Sequence, residues 1–172
     1  YNYHGKTANK LMAIEGGVQP LNRFINLYKT YFKKYKPLAK ASNPVIILVD
    51  NDTEGRTVLS SVPKETGSGK KPDGSAPFYY VALNLYIVVL PKLNEKDTDI
   101  EDLFNPTNGN AKASDGKILV SMKHTDSESK PAFSVRVRKN QSNINFDGFS
   151  DVLGRLSSAI EDYQKRFDAE SE

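Results

Sequence analysis

Asn43-Pro44-Val45-Ile46-Ile47-Leu48-Val49-Asp50-Asn51-Asp52-Thr53-Glu54-Gly55-Arg56 is the stretch on which the reading of this chain turns. Its first half is a short β-branched run without polar alternation, the pattern of a strand buried on both faces of a parallel sheet. Its second half switches to carboxylates and an amide, which puts the acids at the C-terminal end of the strand, where open α/β sheets place ligands. Two carboxylates two residues apart can both reach one hard cation where the backbone leaves the strand. Magnesium needs few protein oxygens, because it keeps several waters and takes phosphate oxygens as well. The same residues also suit an Asx turn capping the next helix, and their spacing does not choose between the two roles.

Upstream, Lys10–Ile14 reads as a short strand ending at Gly16-Gly17. Leu21, Phe24, Ile25, Tyr28, Phe32 and Tyr35 then recur at helical steps, with Pro20 in the first turn, Lys29, Lys33, Lys34 and Lys36 on the other face, and a stop near Pro37. Strand, helix and strand in that order make a right-handed βαβ unit. Downstream, the Gly/Pro/Ser/Lys-rich stretch 63–77 reads as a mobile surface loop, and Phe78–Leu90 as one long strand. Thr98 and Glu101 have capping-box spacing at the start of a helix, and Asn105–Ser114 is turn-rich. Lys117–Met122 and Phe133–Val137 read as a C-terminal strand pair. A final helix carries Phe149, Val152, Leu153, Leu156, Ile160, Tyr163 and Phe167 on one face, capped by Ser150, before a frayed acidic tail at 168–172. The fold class expected is α/β, a parallel sheet with flanking helices plus the strand pair and last helix, in a single domain over residues 1–172.

Composition narrows the chemistry. The 172 residues are 38% hydrophobic and 26% charged, a globular balance, and no apolar run approaches the roughly 18 residues of a membrane helix. With no cysteine and only His4 and His124, thiolate and multi-histidine zinc centres are excluded, which leaves carboxylates and hard cations. A net charge of +3 is too small to argue for nucleic acid by itself. Gly67-Ser68-Gly69-Lys70 lacks the upstream glycine and following Ser/Thr of a P-loop, and no Gly-x-Gly-x-x-Gly follows either strand.

Val45–Arg56 resembles the second acidic motif of Toprim domains, the metal-binding fold of topoisomerases, primases and related nucleases. The order of blocks is similar to the Toprim-like C-terminal extension of retron-type reverse transcriptases. Those blocks are Ala13–Gly17 with its helix, the Asp50-Asn51-Asp52 strand end, Asn84-Leu85-Tyr86, Thr98–Phe104 and Ile144–Phe149. The resemblance implies a Toprim/Rossmann-like fold, Asp50 and Asp52 as carboxylates for Mg²⁺ or Mn²⁺, and Glu15, in its Glu-Gly context, as a further acid or ligand. Glu15 also fits a plain strand-end turn, and if the family's acidic Glu-Gly motif lies earlier, the domain lacks its own first strand. Thr98-Asp99-Ile100-Glu101 is similar to a segment that supplies an extra acid in related nucleases, making Glu101 a catalytic candidate beside its capping role.

The resemblance further implies a parent RNA-directed DNA polymerase of phage defence, bacterial and cytoplasmic. This region would be a metal-dependent nuclease effector, or a non-catalytic module binding the retron RNA–DNA or a protein. The expected partners are nucleic acid and the N-terminal reverse transcriptase domain, with no membrane. Arg136 and Arg138 alternate with valines, so on a strand both guanidinium groups leave one face, with Lys139 adjacent, and can grip phosphates. A solvated strand face explains them equally well.

Overall fold

The β-branched run 45–49 does form a strand, and everything else is arranged around its pairing. In chain order the elements are α1 (Val18–Thr30), β1 (Val45–Val49), α2 (Thr53–Leu59), β2 (Phe78–Ala82), β3 (Leu85–Val89), β4 (Ala111–Lys112), β5 (Ile118–Val120), α3 (Lys130–Lys139) and α4 (Ser150–Ala169). Short 3₁₀ turns cover Ile100–Phe104, Gln141–Asn143 and Asp147–Phe149. The computed structural model describes residues 17–31, 34, 41–64, 70–104, 111–112, 118–120, 130–139 and 141–169.

β1 pairs in parallel with β3 from Val45↔Leu85 to Val49↔Val89, and β2 pairs antiparallel with the other side of β3. The result is a mixed three-stranded sheet of order β1-β3-β2, with β3 buried along its whole length. The period of two along β3 sorts its side chains into two cores. Leu85, Ile87 and Val89 pack with Ile25 and Tyr28 of α1 and Val58 and Leu59 of α2. Tyr86 and Val88 pack with Ala159 and Tyr163 of α4. Leu90, Leu103 and Val152 close a third cluster just past the C-terminal end of β3. The protein is therefore mixed α/β, with helices on both faces of the sheet. No described helix is long and apolar enough to cross a membrane.

Several expectations are corrected. The single strand over Phe78–Leu90 is two, because the chain reverses at Leu83-Asn84, with Leu83 at φ 57°. Asn84, the one turn-former in that run, is buried: its Nδ2 donates to Asn43 O at 2.8 Å and its Oδ1 accepts from Tyr28 OH. α1 ends at Thr30, before Phe32, Tyr35 and Pro37. The strand expected over Phe133–Val137 is helix α3, since Pro131 sits in a helix first turn and six alternating residues are too few to fix a strand. The strand pair is instead β4 with β5, Ala111↔Val120 and Lys112↔Ile118. α4 runs through Asp168 to Ala169, and Ser150 is its first residue, continuing the Asp147–Phe149 turn. The expected strand Lys10–Ile14, the candidate acid Glu15, positions 65–69 of the loop and the tail 170–172 lie outside the described residues.

The last helix is fastened to the sheet by a polar chain as well as by packing. Tyr86 OH donates to Asp162 Oδ2 at 2.7 Å, and Arg166 Nε donates to the same oxygen at 2.6 Å. The Arg166 guanidinium lies 4.5 Å from the centre of the Tyr80 ring. Burial and the bond to Asp162 push the Tyr86 hydroxyl far up. Burial alone would raise the Asp162 carboxyl, but hydrogen bonds from Arg166 and Tyr86 hold it below the usual carboxylate range. A carboxyl lowered on folding stabilises above its unfolded value of about 3.9 and loses that contribution as pH falls through the folded value. Tyr86→Phe should cost about 1–2 kcal/mol at neutral pH. Denaturant midpoints measured down the acid limb should show the deficit shrinking below about pH 4.

Candidate functional site

At the end of β1 the backbone keeps its alternation for three more residues. Asn51 turns inward and is 1% exposed, while Asp50 and Asp52 line a cleft. Asn51 is held on three sides. Its N–H donates to Thr98 O at 2.9 Å, its carbonyl accepts from Thr98 N at 3.2 Å, and its Nδ2 donates to Leu90 O at 2.9 Å. This clamp ties the β1 end to the segment leaving β3, and so fixes where the two carboxylates stand.

The cleft has a volume of about 340 Å³ and is lined by Asp50, Asp52 and Glu54, by Gly55 and Val58 of α2, by Gly17, Val18 and Leu21 at the start of α1, and by Ile100. Asp52 is the N-cap of α2: its Oδ1 accepts from Gly55 N at 2.6 Å. Asp50 Oδ1 accepts from Ile100 N at 3.2 Å. The capping role open to this acid pair is thus real for Asp52, and it occupies one oxygen of a carboxylate that has two. α1 opens at Gly17, whose φ of 105° favours glycine, with no side-chain cap and no acidic residue in its first turn. The start of α1, the positive end of its dipole, therefore lines the cleft without a carboxylate in its own first turn.

Gly55 permits this layout. A Cβ there would lie 1.9 Å from Asp50 O and 2.9 Å from Asp50 C, so only a glycine lets α2 start against the strand end. The next residue, Arg56, grips Asp97 bidentately, Nη1 to Oδ1 at 2.8 Å and Nη2 to Oδ2 at 3.0 Å, joining α2 to the segment that carries Thr98. The Arg56 hydrogen bond holds the Asp97 carboxyl below its ordinary range. Thr98 Oγ1 accepts from Leu93 N at 3.0 Å and donates to Lys96 O at 3.1 Å, closing a turn in which Asn94 and Glu95 both have positive φ. Behind Asn51, Gly74 N donates to Tyr79 OH at 2.9 Å, and Ser75 N donates to Asp73 Oδ1 at 2.9 Å. The later part of the 63–77 segment is thereby tied to the site's back wall.

Among the sequence candidates, the structure brings Asp50 and Asp52 together. Glu101 sits half-buried on the 3₁₀ turn and does not line the cleft; its neighbour Ile100 does. The Thr98–Glu101 capping box does not form, because the Thr98 hydroxyl is committed to the turn before it. A similar i,i+3 bond forms one residue later, with Asp99 N donating to Asp102 Oδ2 at 2.9 Å. Arg136 and Arg138 lie on helix α3, where positions two apart diverge by about 200°, so the paired strand grip does not exist. Arg138 and Lys139 are exposed. Among the described residues, no three carboxylate, imidazole or thiolate side chains gather closely enough to hold an ion.

Sequence reasoning missed Asn51, Thr98, Gly55 and Ile100 as positioning residues. A signal existed for Gly55, as Asp52-x-x-Gly55 joins an N-cap to a residue without Cβ at N3. None existed for Ile100, which contributes a backbone N–H from 50 residues away. No family model matches the chain, and no solved structure matches it significantly.

Proposed function

We propose that this chain is a Toprim-like, divalent-metal-dependent phosphodiester-cleaving domain, the C-terminal part of a retron-type reverse transcriptase that acts on nucleic acid in phage defence. The observation that carries the reading is the placement of Asp50 and Asp52 side by side at the C-terminal end of a parallel strand, in a cleft shared with the uncapped start of α1. The donor set fits a hard cation: two carboxylates, no sulfur or imidazole, and space for water and a phosphate. Asp50 and Asp52 would hold Mg²⁺ or Mn²⁺, which supplies charge stabilisation at the phosphate and a more acidic bound water.

The chain's own residues divide the remaining work. The N–H groups opening α1 would donate to a phosphate oxygen, as helix starts do elsewhere. Asn51 holds both acids in register, and Gly55 lets the α2 start close against them. Glu15, two residues before cleft-lining Gly17, remains the candidate for a third acid. That Asp50, Asp52 and Glu54 line one cleft without three described carboxylates gathering closely enough to hold an ion favours a second reading, a non-catalytic module that binds the retron RNA–DNA or a protein.

Calorimetric titration with Mn²⁺ and Mg²⁺ separates the two. Asp50→Asn/Asp52→Asn is a suitable comparison because an amide oxygen still accepts from Ile100 N and Asn is as good an N-cap as Asp. The chain should bind saturably, and the variant at matched stability should lose at least about tenfold in affinity. Equal binding by both, or none by either, would remove the metal reading and leave the module.

A further inference from the structure

We propose that the face built from the Ile100–Phe104 turn and residues 144–151 is a docking surface for a basic protein segment bearing one aromatic or aliphatic anchor. It uses neither Asp50 nor Asp52, so it stands independently of the metal reading. At its centre are three phenylalanines, with Phe104 4.9 Å from Phe149 and 5.7 Å from Phe146, both edge-on, and Phe146 6.0 Å from Phe149. Phe104 and Phe149 are half-buried, whereas Phe146 is 42% exposed. One ring of an otherwise packed cluster is thus left in water, the arrangement of a shallow cup that takes a single inserted side chain.

The charge around this cup is mainly negative, with Arg56 set on Asp97 and Arg155 following the second acidic segment. Segments 97–104 and 144–154 together hold six carboxylates and no Lys or Arg, in a chain whose net charge is +3. Asp102, next but one to Phe104, Asp147, beside Phe146, and Asp151, next but one to Phe149, are all exposed. Asp151 has Arg155 four residues on in the same helix, whereas Asp102 and Asp147 are in neither of the ion pairs Arg56–Asp97 and Arg166–Asp162. Asp147 Oδ2 accepts only from the neutral Asn145 amide, at 2.9 Å, and Asp102 Oδ2 from the backbone. An apolar centre with an acidic rim matches the anatomy of an interface for a cationic partner. The same rim repels a polyanion, which sets a nucleobase stacked on Phe146 behind a protein segment. Since the turn's first residue, Ile100, donates to Asp50, a segment seated here lies at the mouth of the cleft.

The probe is a short fluorescent peptide of alternating Lys and Leu, titrated into the full chain by anisotropy, with its Glu/Leu counterpart and a labelled single-stranded oligonucleotide in parallel. Amide shifts are mapped on the same complex. The Lys/Leu peptide should bind saturably, weaken with salt and shift amides of 99–104 and 144–153. It should lose about tenfold in affinity in Phe146→Ser and again in Asp102→Asn/Asp147→Asn, while the Glu/Leu peptide does not bind. Asp102→Asn/Asp147→Asn alters exposed acids only and should keep its unfolding midpoint, while Phe146→Ser also gives up its ring contacts with Phe104 and Phe149, so its affinity is measured well below its own unfolding transition. Equal affinity in wild type and variants overturns the proposal. So does oligonucleotide binding that Phe146→Ser abolishes, which would make the cup a base platform. A dimer that Phe146→Ser dissociates overturns it too, by naming a second copy as the occupant.

Discussion

Gly55→Ala should cost about 3 kcal/mol or more and remove the cleft's geometry at the same time. The added methyl would stand 1.9 Å from a backbone oxygen of Asp50, and backbone cannot rotate aside as a side chain does. Either the start of α2 lifts off β1, which breaks the Asp52 cap, or the strand end shifts, which moves Asp50 and loosens Asn51. Gly154→Ala is the matched control. It lies on α4 with nothing within 4 Å of its would-be Cβ, so alanine there should gain up to about 1 kcal/mol from helix propensity alone. Urea midpoints of the two variants should therefore move in opposite directions with similar slopes. If Gly55→Ala unfolds like wild type, the close seat of α2 on the strand end is not what holds the acids in place.

Asn51→Asp is expected to be the other severe change, although it alters a single atom's chemistry. The Nδ2 that donates to Leu90 O would become an oxygen facing an oxygen, at a site 1% exposed, while the Arg56 guanidinium, which reaches the Asn51 carbonyl, is already committed to Asp97. At neutral pH the loss should reach about 3–5 kcal/mol, the range for an uncompensated buried charge. Burial raises the pKa of such an acid above its unfolded value of about 3.9, so the folded state holds the proton over the wider range. The deficit should then be small below about pH 4, where a protonated oxygen can donate to Leu90 O, and should grow as pH rises. Thermal unfolding of wild type and variant across that range checks the sign. A deficit that does not change with pH would mean that position 51 stays in contact with solvent.

Local pattern carried the parts of the fold that depend on neighbours in sequence. The run 45–49 read as a strand and is one, although it ends the order β1-β3-β2 with only Val49 buried and Leu48 exposed. The stripe through Val152, Leu156 and Tyr163 read as a helix face and is one, although Leu153 and Ile160, expected on that face, are exposed and Ala159 is buried instead. What failed was equally physical. Around Leu83-Asn84 the two strands are both apolar, because β3 is buried on both faces, so hydropathy showed no boundary and only a single turn residue marked it. Residues 133–138 alternate over a span too short to distinguish a strand from one and a half turns of helix. At the site, the two acids were legible because their role follows from their place after a strand. The groups that orient them were not, because Thr98, Leu90 and Ile100 act through backbone atoms supplied from distant segments.

The order in which the chain emerges during synthesis adds a consequence of the α4 seat. Asp162 lies 76 residues after Tyr86, to which it is bonded. At about 5–20 residues per second, the Tyr86–Val88 side of the nascent sheet waits roughly 4–15 s for its cover. Over that interval an aromatic, β-branched surface is displayed on the growing polypeptide, long enough for a ribosome-associated chaperone to engage it or for neighbouring nascent chains to stick.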